Sequence, residues 1–136
     1  MKSSVLFHII GLSYLTACHP YDIRQRLVPT QKMCIIWYNK EGKKKSNDTL
    51  CLNDKAFINT WENYLSRNTI NKSNTAIAEG HIQAYKQQIP IYTIYFSISE
   101  KWFYFEDQPE TFYQITTEGA TFLVLLKKNK IHYNIQ

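Results

Sequence analysis

Met33-Cys34-Ile35-Ile36-Trp37-Tyr38 and Thr49-Leu50-Cys51-Leu52 are two runs of strand formers, separated by the polar stretch Asn39-Lys40-Glu41-Gly42-Lys43-Lys44-Lys45-Ser46. β-Branched and aromatic residues suit extended backbone, and a polar link containing glycine between two such runs signals a hairpin. With Gly42 and Lys43 as the central turn residues, glycine leading as a type II′ turn prefers, Glu41 and Lys44 close the turn and Cys34 falls opposite Cys51. In that register the cysteines form a non-hydrogen-bonded pair, whose Cα atoms approach to about 4.5 Å, inside the roughly 4.4 to 6.8 Å that a disulfide spans. The expectation is an antiparallel hairpin stapled by Cys34–Cys51, a link that contributes on the order of 3 kcal/mol by the loop-entropy argument.

Downstream of the hairpin, Asn53 or Asp54 can cap a helix on which Phe57, Ile58, Trp61 and Leu65 recur along one face. An aromatic stripe of this kind packs against a sheet far more often than it forms a ligand box. Asn68 to Thr75 reads as a polar loop, and residues 76 to 88 fit a strand somewhat better than a helix. From Ile91 the pattern alternates: Tyr92, Ile94, Phe96 and Ile98 point one way, Thr93, Tyr95 and Ser97 the other. Trp102-Phe103-Tyr104-Phe105 and Thr111 to Thr116 follow as short strands, and Thr121 to Leu126 with Lys130 to Ile135 reads as a closing hairpin. The sum is an α+β domain: an antiparallel sheet of about five to seven strands with one helix after the first hairpin, in the order β-β-α-β-β-β-β.

Composition agrees with one packed domain. The chain has 136 residues, 44% of them hydrophobic, with ten Tyr, seven Phe and three Trp but only four Gly and four Pro, so neither disorder nor a fibrous repeat is indicated. The formal charge of +5 is spread along the chain and does not collect on a recognition helix, which disfavours nucleic acid.

The amino terminus has a different character. A single Lys2 precedes the apolar run Val5 to Leu15, and small residues lead into Cys18, the three parts of a secretory signal in order. The run is shorter than the roughly 20 apolar residues a spanning helix needs. Leu15-Thr16-Ala17-Cys18 resembles the lipobox of bacterial lipoproteins, a Leu-small-small-Cys signature cleaved before a cysteine that becomes lipidated. The resemblance covers residues 1 to 18. It implies a signal peptide over 1–17, a working chain that begins at Cys18, and palmitate-type acyl chains that hold it to a membrane without spanning it. His19 stands where inner-membrane retention often places Asp, so the outer membrane is the expected address. Residues 18–32, with Pro20 and Pro29, then read as a tether to a single domain over 33–136. Export also places Cys34 and Cys51 where spatially close cysteines oxidise.

Catalytic signatures do not accompany this address. Gly-x-Ser-x-Gly, His-Glu-x-x-His and phosphate-cradling glycine loops are absent from the sequence, and its histidines and cysteines lack metal-ligand spacing. Glu79-Gly80-His81 offers an acid and an imidazole, and an enzyme would need His81 or His132 to reach a carboxylate. A solvated loop pair is the simpler account. The expectation is therefore a non-enzyme without cofactor or metal. Lys43, Lys44 and Lys45 at the first hairpin tip, and Trp102 and Tyr104 on one side of their strand, are the candidate partner-binding residues. Aromatic groups on both sides of that strand mean either a covered sheet or an exposed patch.

Taken together, these features fit a membrane-anchored periplasmic lipoprotein with a protein partner, resembling in outline the immunity lipoproteins that neutralise type VI secretion effectors. The alternative is a structural or assembly lipoprotein of the envelope or of a secretion system.

Overall fold

The computed structural model describes residues 23–27, 29–38, 44–72 and 76–133. In chain order the elements are α1 (Ile23–Leu27), β1 (Lys32–Tyr38), β2 (Lys44–Leu52), α2 (Lys55–Tyr64), β3 (Leu65–Ile70), β4 (Gly80–Lys86), β5 (Ile89–Ser97), β6 (Trp102–Phe105), β7 (Phe112–Ile115) and α3 (Thr117–Tyr133). The strands form one sheet in the order β2-β1-β4-β5-β6-β7-β3, with every neighbouring pair antiparallel. The class is α+β.

β1 and β2 pair as their alternation demands, with Met33 opposite Leu52, Cys34 opposite Cys51, Ile35 opposite Leu50 and Ile36 opposite Thr49. Cys34 and Cys51 form a disulfide across Cα atoms 4.0 Å apart. Nearer the tip the expected register fails. An irregularity after Ile36 brings Lys44 opposite Tyr38, so Lys44 does not close the turn with Glu41. Gly42 and Lys43 lie outside the described residues.

The core forms on one side of the sheet because strand side chains alternate. Met33, Ile35 and Trp37 of β1 and Leu50 and Leu52 of β2 face it, as do Ile82 and Ala84 of β4 and Tyr92, Ile94 and Phe96 of β5. Phe103 and Phe105 of β6 and Tyr113 and Ile115 of β7 complete the layer. The helices cover this side. Asp54 caps α2 by accepting the Ala56 N–H at 2.7 Å, and α2 buries Ile58 and Trp61. α3 contributes Ala120, Leu123 and Leu126, and α1 contributes Ile23 and Leu27.

Three features differ from the expectations. α3 occupies residues 121–133 of the segment read as a closing hairpin, residues 134 and 135 lying outside the described ones: Thr116 accepts the Gly119 N–H at 3.1 Å at its amino end, and residues three apart then meet the sheet. Part of the polar loop after α2 is strand, because β3 takes the free edge of β7, with Leu65 opposite Ile115 and Ile70 opposite Phe112. Residues 23–32, expected within a tether, carry α1 and the start of β1, and Ile23, Leu27 and Thr30 are buried. The described residues thus hold three helices where one was expected. Residues 80–86 do form a strand, joined to β5 through Gln87 and Gln88, both at positive φ.

Candidate functional site

The side chains that point away from the helices make a second, mostly aromatic surface. Register alone assembles it: Thr49 lies opposite Ile36, Ile36 opposite His81, His81 opposite Tyr95, and Tyr95 opposite Tyr104. Tyr104 then meets Phe112 of β7 with ring centroids 5.2 Å apart. This row crosses six strands. A parallel row, one residue pair further along the strands, holds the Cys51–Cys34 disulfide, Gln83, Thr93 and Glu106. None of these side chains belongs to the helix-facing core, and Tyr38, His81, Gln83, Thr93, Tyr95 and Tyr104 are all partly exposed.

Ring contacts make the row continuous. Tyr38 and His81 are 5.5 Å apart between centroids, His81 and Tyr95 5.7 Å, and Tyr95 and Tyr104 5.2 Å in a stack only 17° from parallel. The Tyr38 hydroxyl and His81 Nδ1 share a 2.6 Å hydrogen bond. Trp102 buttresses the far end, stacked on Tyr104 at 5.9 Å and edge-on to Phe112 at 5.2 Å. Cross-strand aromatic pairs of this kind contribute roughly 0.2 to 1 kcal/mol each, so the surface is rigid before any partner arrives.

Its tyrosines are neutral, and a carboxylate stands at one corner. Burial pushes the Tyr38 phenol up to about 12, helped by Tyr95, Tyr104 and the Glu106 charge. Burial and then Glu106 likewise raise Tyr95 and Tyr104 above the ordinary phenol value. All three therefore remain protonated at neutral pH and can both donate and accept hydrogen bonds. Glu106 is exposed, with its Oε1 3.4 Å from the Tyr95 hydroxyl.

Of the residues singled out in the sequence, Tyr104 stands in this row. Trp102 corrects its assignment: it points to the same side but is 0% exposed, its indole N–H donating to Glu100 Oε2 at 2.7 Å while Lys72 donates to the same oxygen at 2.9 Å. Trp102 therefore supports the surface and cannot itself touch a partner. Lys44 and Lys45 begin β2 at the other end of the sheet, so the structure does not bring them together with Tyr104. Lys43 and Cys18 lie outside the described residues.

The Glu79 and His81 pair divides between two tasks. His81 enters the aromatic row. Glu79 accepts from the Ser97 hydroxyl at 2.7 Å, the Ser99 N–H at 2.9 Å and the Ser99 hydroxyl, which ties the β5–β6 turn to the start of β4. Burial alone would raise its pKa, but these hydrogen bonds from Ser99 and Ser97 outweigh it and hold the carboxylate below its ordinary value. Among the described residues no group of three or more His, Cys, Asp and Glu converges as a metal site.

Two hollows are present, the first adjoining the Thr93 and Glu106 end of this surface. One, of about 270 Å³, is lined by Arg26, Pro90, Ile91, Tyr92, Thr93, Glu106 and Asp107, and Arg26 fills part of its wall as an ion pair with Asp107. The other, of about 280 Å³, runs along α3 past Tyr64, Phe122 and Leu125. In the sequence Tyr38 and Tyr95 carry no site signal of their own, and His81 stands out only as an imidazole beside Glu79; the alternation of Thr93, Tyr95 and Ser97 is the available signal, but only strand register shows that these residues share a surface.

Comparison with known proteins returns no match: no family model fits the chain, no curated protein is similar to it in sequence, and no solved structure is similar to it in fold.

Proposed function

We propose that this chain is a lipoprotein of the bacterial envelope, anchored through acylated Cys18 and facing the periplasm from the outer membrane, whose domain binds and neutralises a toxic enzyme delivered there, as type VI secretion delivers its effectors. The observation that carries the binding reading is the row Tyr38, His81, Tyr95 and Tyr104, partly exposed on the side of the sheet away from the helices. Tyrosines give large, rigid contact area at low entropic cost and dominate binding hot spots. The Cys34–Cys51 disulfide supports an oxidising compartment, since such bonds rarely persist in a reducing cytosol. Leu15-Thr16-Ala17-Cys18 supplies the anchor.

The test is protection. A candidate toxic effector enzyme is produced in the periplasm with the full chain, with Cys18→Ala, or with the double variant Tyr95→Ala and Tyr104→Ala. Wild type is expected to rescue growth and to co-purify with the enzyme, and the double variant to do neither while staying folded. Unchanged killing with no complex rejects the inhibitor reading. Envelope defects on deletion, in cells that meet no toxin, point instead to an assembly lipoprotein.

A further inference from the structure

We propose that the corner of the open face formed by Tyr104, Tyr95 and Glu106 receives a basic side chain, arginine or lysine, projected by a loop of the protein partner; the inference rests on the binding reading above and names the chemistry of its central contact.

The first argument is a pattern that β6 uses on both of its sides. Towards the helices, Arg26 of α1 lies with its guanidinium carbon 4.3 Å from the Phe105 ring centroid and pairs with Asp107, two residues further on. Towards the open side, Tyr104 and Glu106 repeat the ring and the carboxylate at the same two-residue spacing. β6 and the turn after it thus hold a cation between ring and carboxylate on the inner side and present the same pair of groups outward. On the open side itself Lys32 shows the ring half of this pattern, with its ammonium 5.6 Å from the Tyr85 centroid. Aromatic rings attract cations through their quadrupole, and a carboxylate beside the ring adds a charge-assisted hydrogen bond.

The second argument is charge. The chain is net positive, yet the formal charge that reaches Tyr38, Tyr95 and Tyr104 together, second to burial among the influences on the latter two, is the negative one of Glu106. Its 3.4 Å contact with the Tyr95 hydroxyl is long, which leaves the carboxylate's lone pairs free for a stronger donor. The corner is also preformed: Tyr95 and Tyr104 are direct cross-strand partners in a 5.2 Å stack, with Phe112 and Trp102 packed behind. A planar guanidinium can lie against such a stack and reach the carboxylate in two-pronged fashion, so arginine fits better than lysine.

The experiment needs no partner in hand. The purified full chain, disulfide intact and tyrosine rings isotopically labelled, is titrated with the blocked peptide acetyl-Gly-Arg-Gly-Arg-Gly-amide, with the same peptide carrying neutral citrulline for arginine, and with a soluble chitin hexasaccharide. The arginine peptide is expected to move the Tyr95 and Tyr104 ring signals, to bind about tenfold more tightly than the citrulline peptide, and to lose about threefold or more in Glu106→Gln. Tyr104→Leu, which keeps an apolar side chain but removes the ring, should weaken it as well. Equal binding of the citrulline peptide, indifference to Glu106→Gln and Tyr104→Leu, unmoved tyrosine signals, or a stronger response to the saccharide would each overturn the proposal. If the toxin complex forms, fails with the Tyr95→Ala and Tyr104→Ala double variant, and is indifferent to Glu106→Gln, the binding reading stands while the basic contact falls.

Discussion

Breaking the Cys34–Cys51 bond tests both the sheet and the compartment. The cysteines are 17 residues apart in sequence, and closing a loop of that length removes about 3 kcal/mol of conformational entropy from the unfolded chain by the standard estimate. Native contacts on the core side should survive, since Leu50 and Leu52 hold β2 down at 1% and 6% exposure whether or not the sulfurs are joined. The loss should therefore come close to the entropic figure. With a urea slope of about 1 to 3 kcal/mol per molar, the unfolding midpoint should fall by about 1 to 3 M when the protein is reduced. The Cys34→Ala and Cys51→Ala double variant should start from the lowered midpoint and ignore the reductant. Because β2 is an edge strand, its amides should lose exchange protection before those of β5 do. A midpoint that reduction leaves in place, or two thiols that alkylate in native protein taken from its own membrane, would refute the claim that this bond sets the edge of the sheet.

Three further outcomes follow from particular contacts. A Cβ on Gly80 would sit 2.4 Å from the Ile36 carbonyl oxygen and 2.6 Å from Phe96 Cζ, so Gly80→Ala should cost about 1 to 3 kcal/mol in a thermal melt, and an unchanged melt would contradict the packing of β4 on β1 and β5. Gln88 occupies φ 64°, which favours glycine, so Gln88→Gly should stabilise the domain by about 1 kcal/mol; a lowered melting temperature would show that the turn is not strained there. Glu79 has a folded pKa held below its ordinary 4.5, so its contribution to stability is fully present above 4.5 and is lost as pH falls through the lower folded value. Wild type should lose stability over that acid range more steeply than Glu79→Gln, and parallel pH profiles for the two would count against the Ser97 and Ser99 contacts.

How far the fold could be read in advance depended on whether the deciding contacts were local. Cys34 against Cys51 was legible because both strands alternate and the link between them is short; the tip was not, because three additional residues of β2 are absorbed between Lys44 and Thr49. α2 announced itself through Asp54 and the spacing of Ile58 and Trp61. α3 did not. Thr121, Phe122, Val124 and Ile131 are strand formers and Lys127-Lys128-Asn129 looks like a turn, so local preference opposed the helix that the burial of Ala120, Leu123 and Leu126 imposes. The Thr116 cap and the Glu118 that follows it in the first turn are the local signals that favour the helix. β3, built from Leu65-Ser66-Arg67-Asn68-Thr69-Ile70, carries almost no strand character of its own and exists because β7 leaves an edge to be paired.

The same distinction accounts for the site. Tyr104 could be picked out because it stands in an aromatic run, but whether its ring meets solvent depends on which side of the sheet the helices choose, and the helices chose the side of Phe103 and Phe105. Once they are there, Trp102 and Tyr104 of β6, His81 and Gln83 of β4 and Thr93 and Tyr95 of β5 are committed to the other side, and His81, Tyr95 and Tyr104 become neighbours although their positions span β4 to β6. A one-residue slip between β4 and β5 would send Tyr95 into the core and bring Ile94 or Phe96 out, at a cost of several buried apolar side chains. The buried alternation of Ile82, Ala84, Tyr92, Ile94 and Phe96 therefore holds the exposed aromatic row in register, and the binding surface is specified by the half of each strand that never touches a partner.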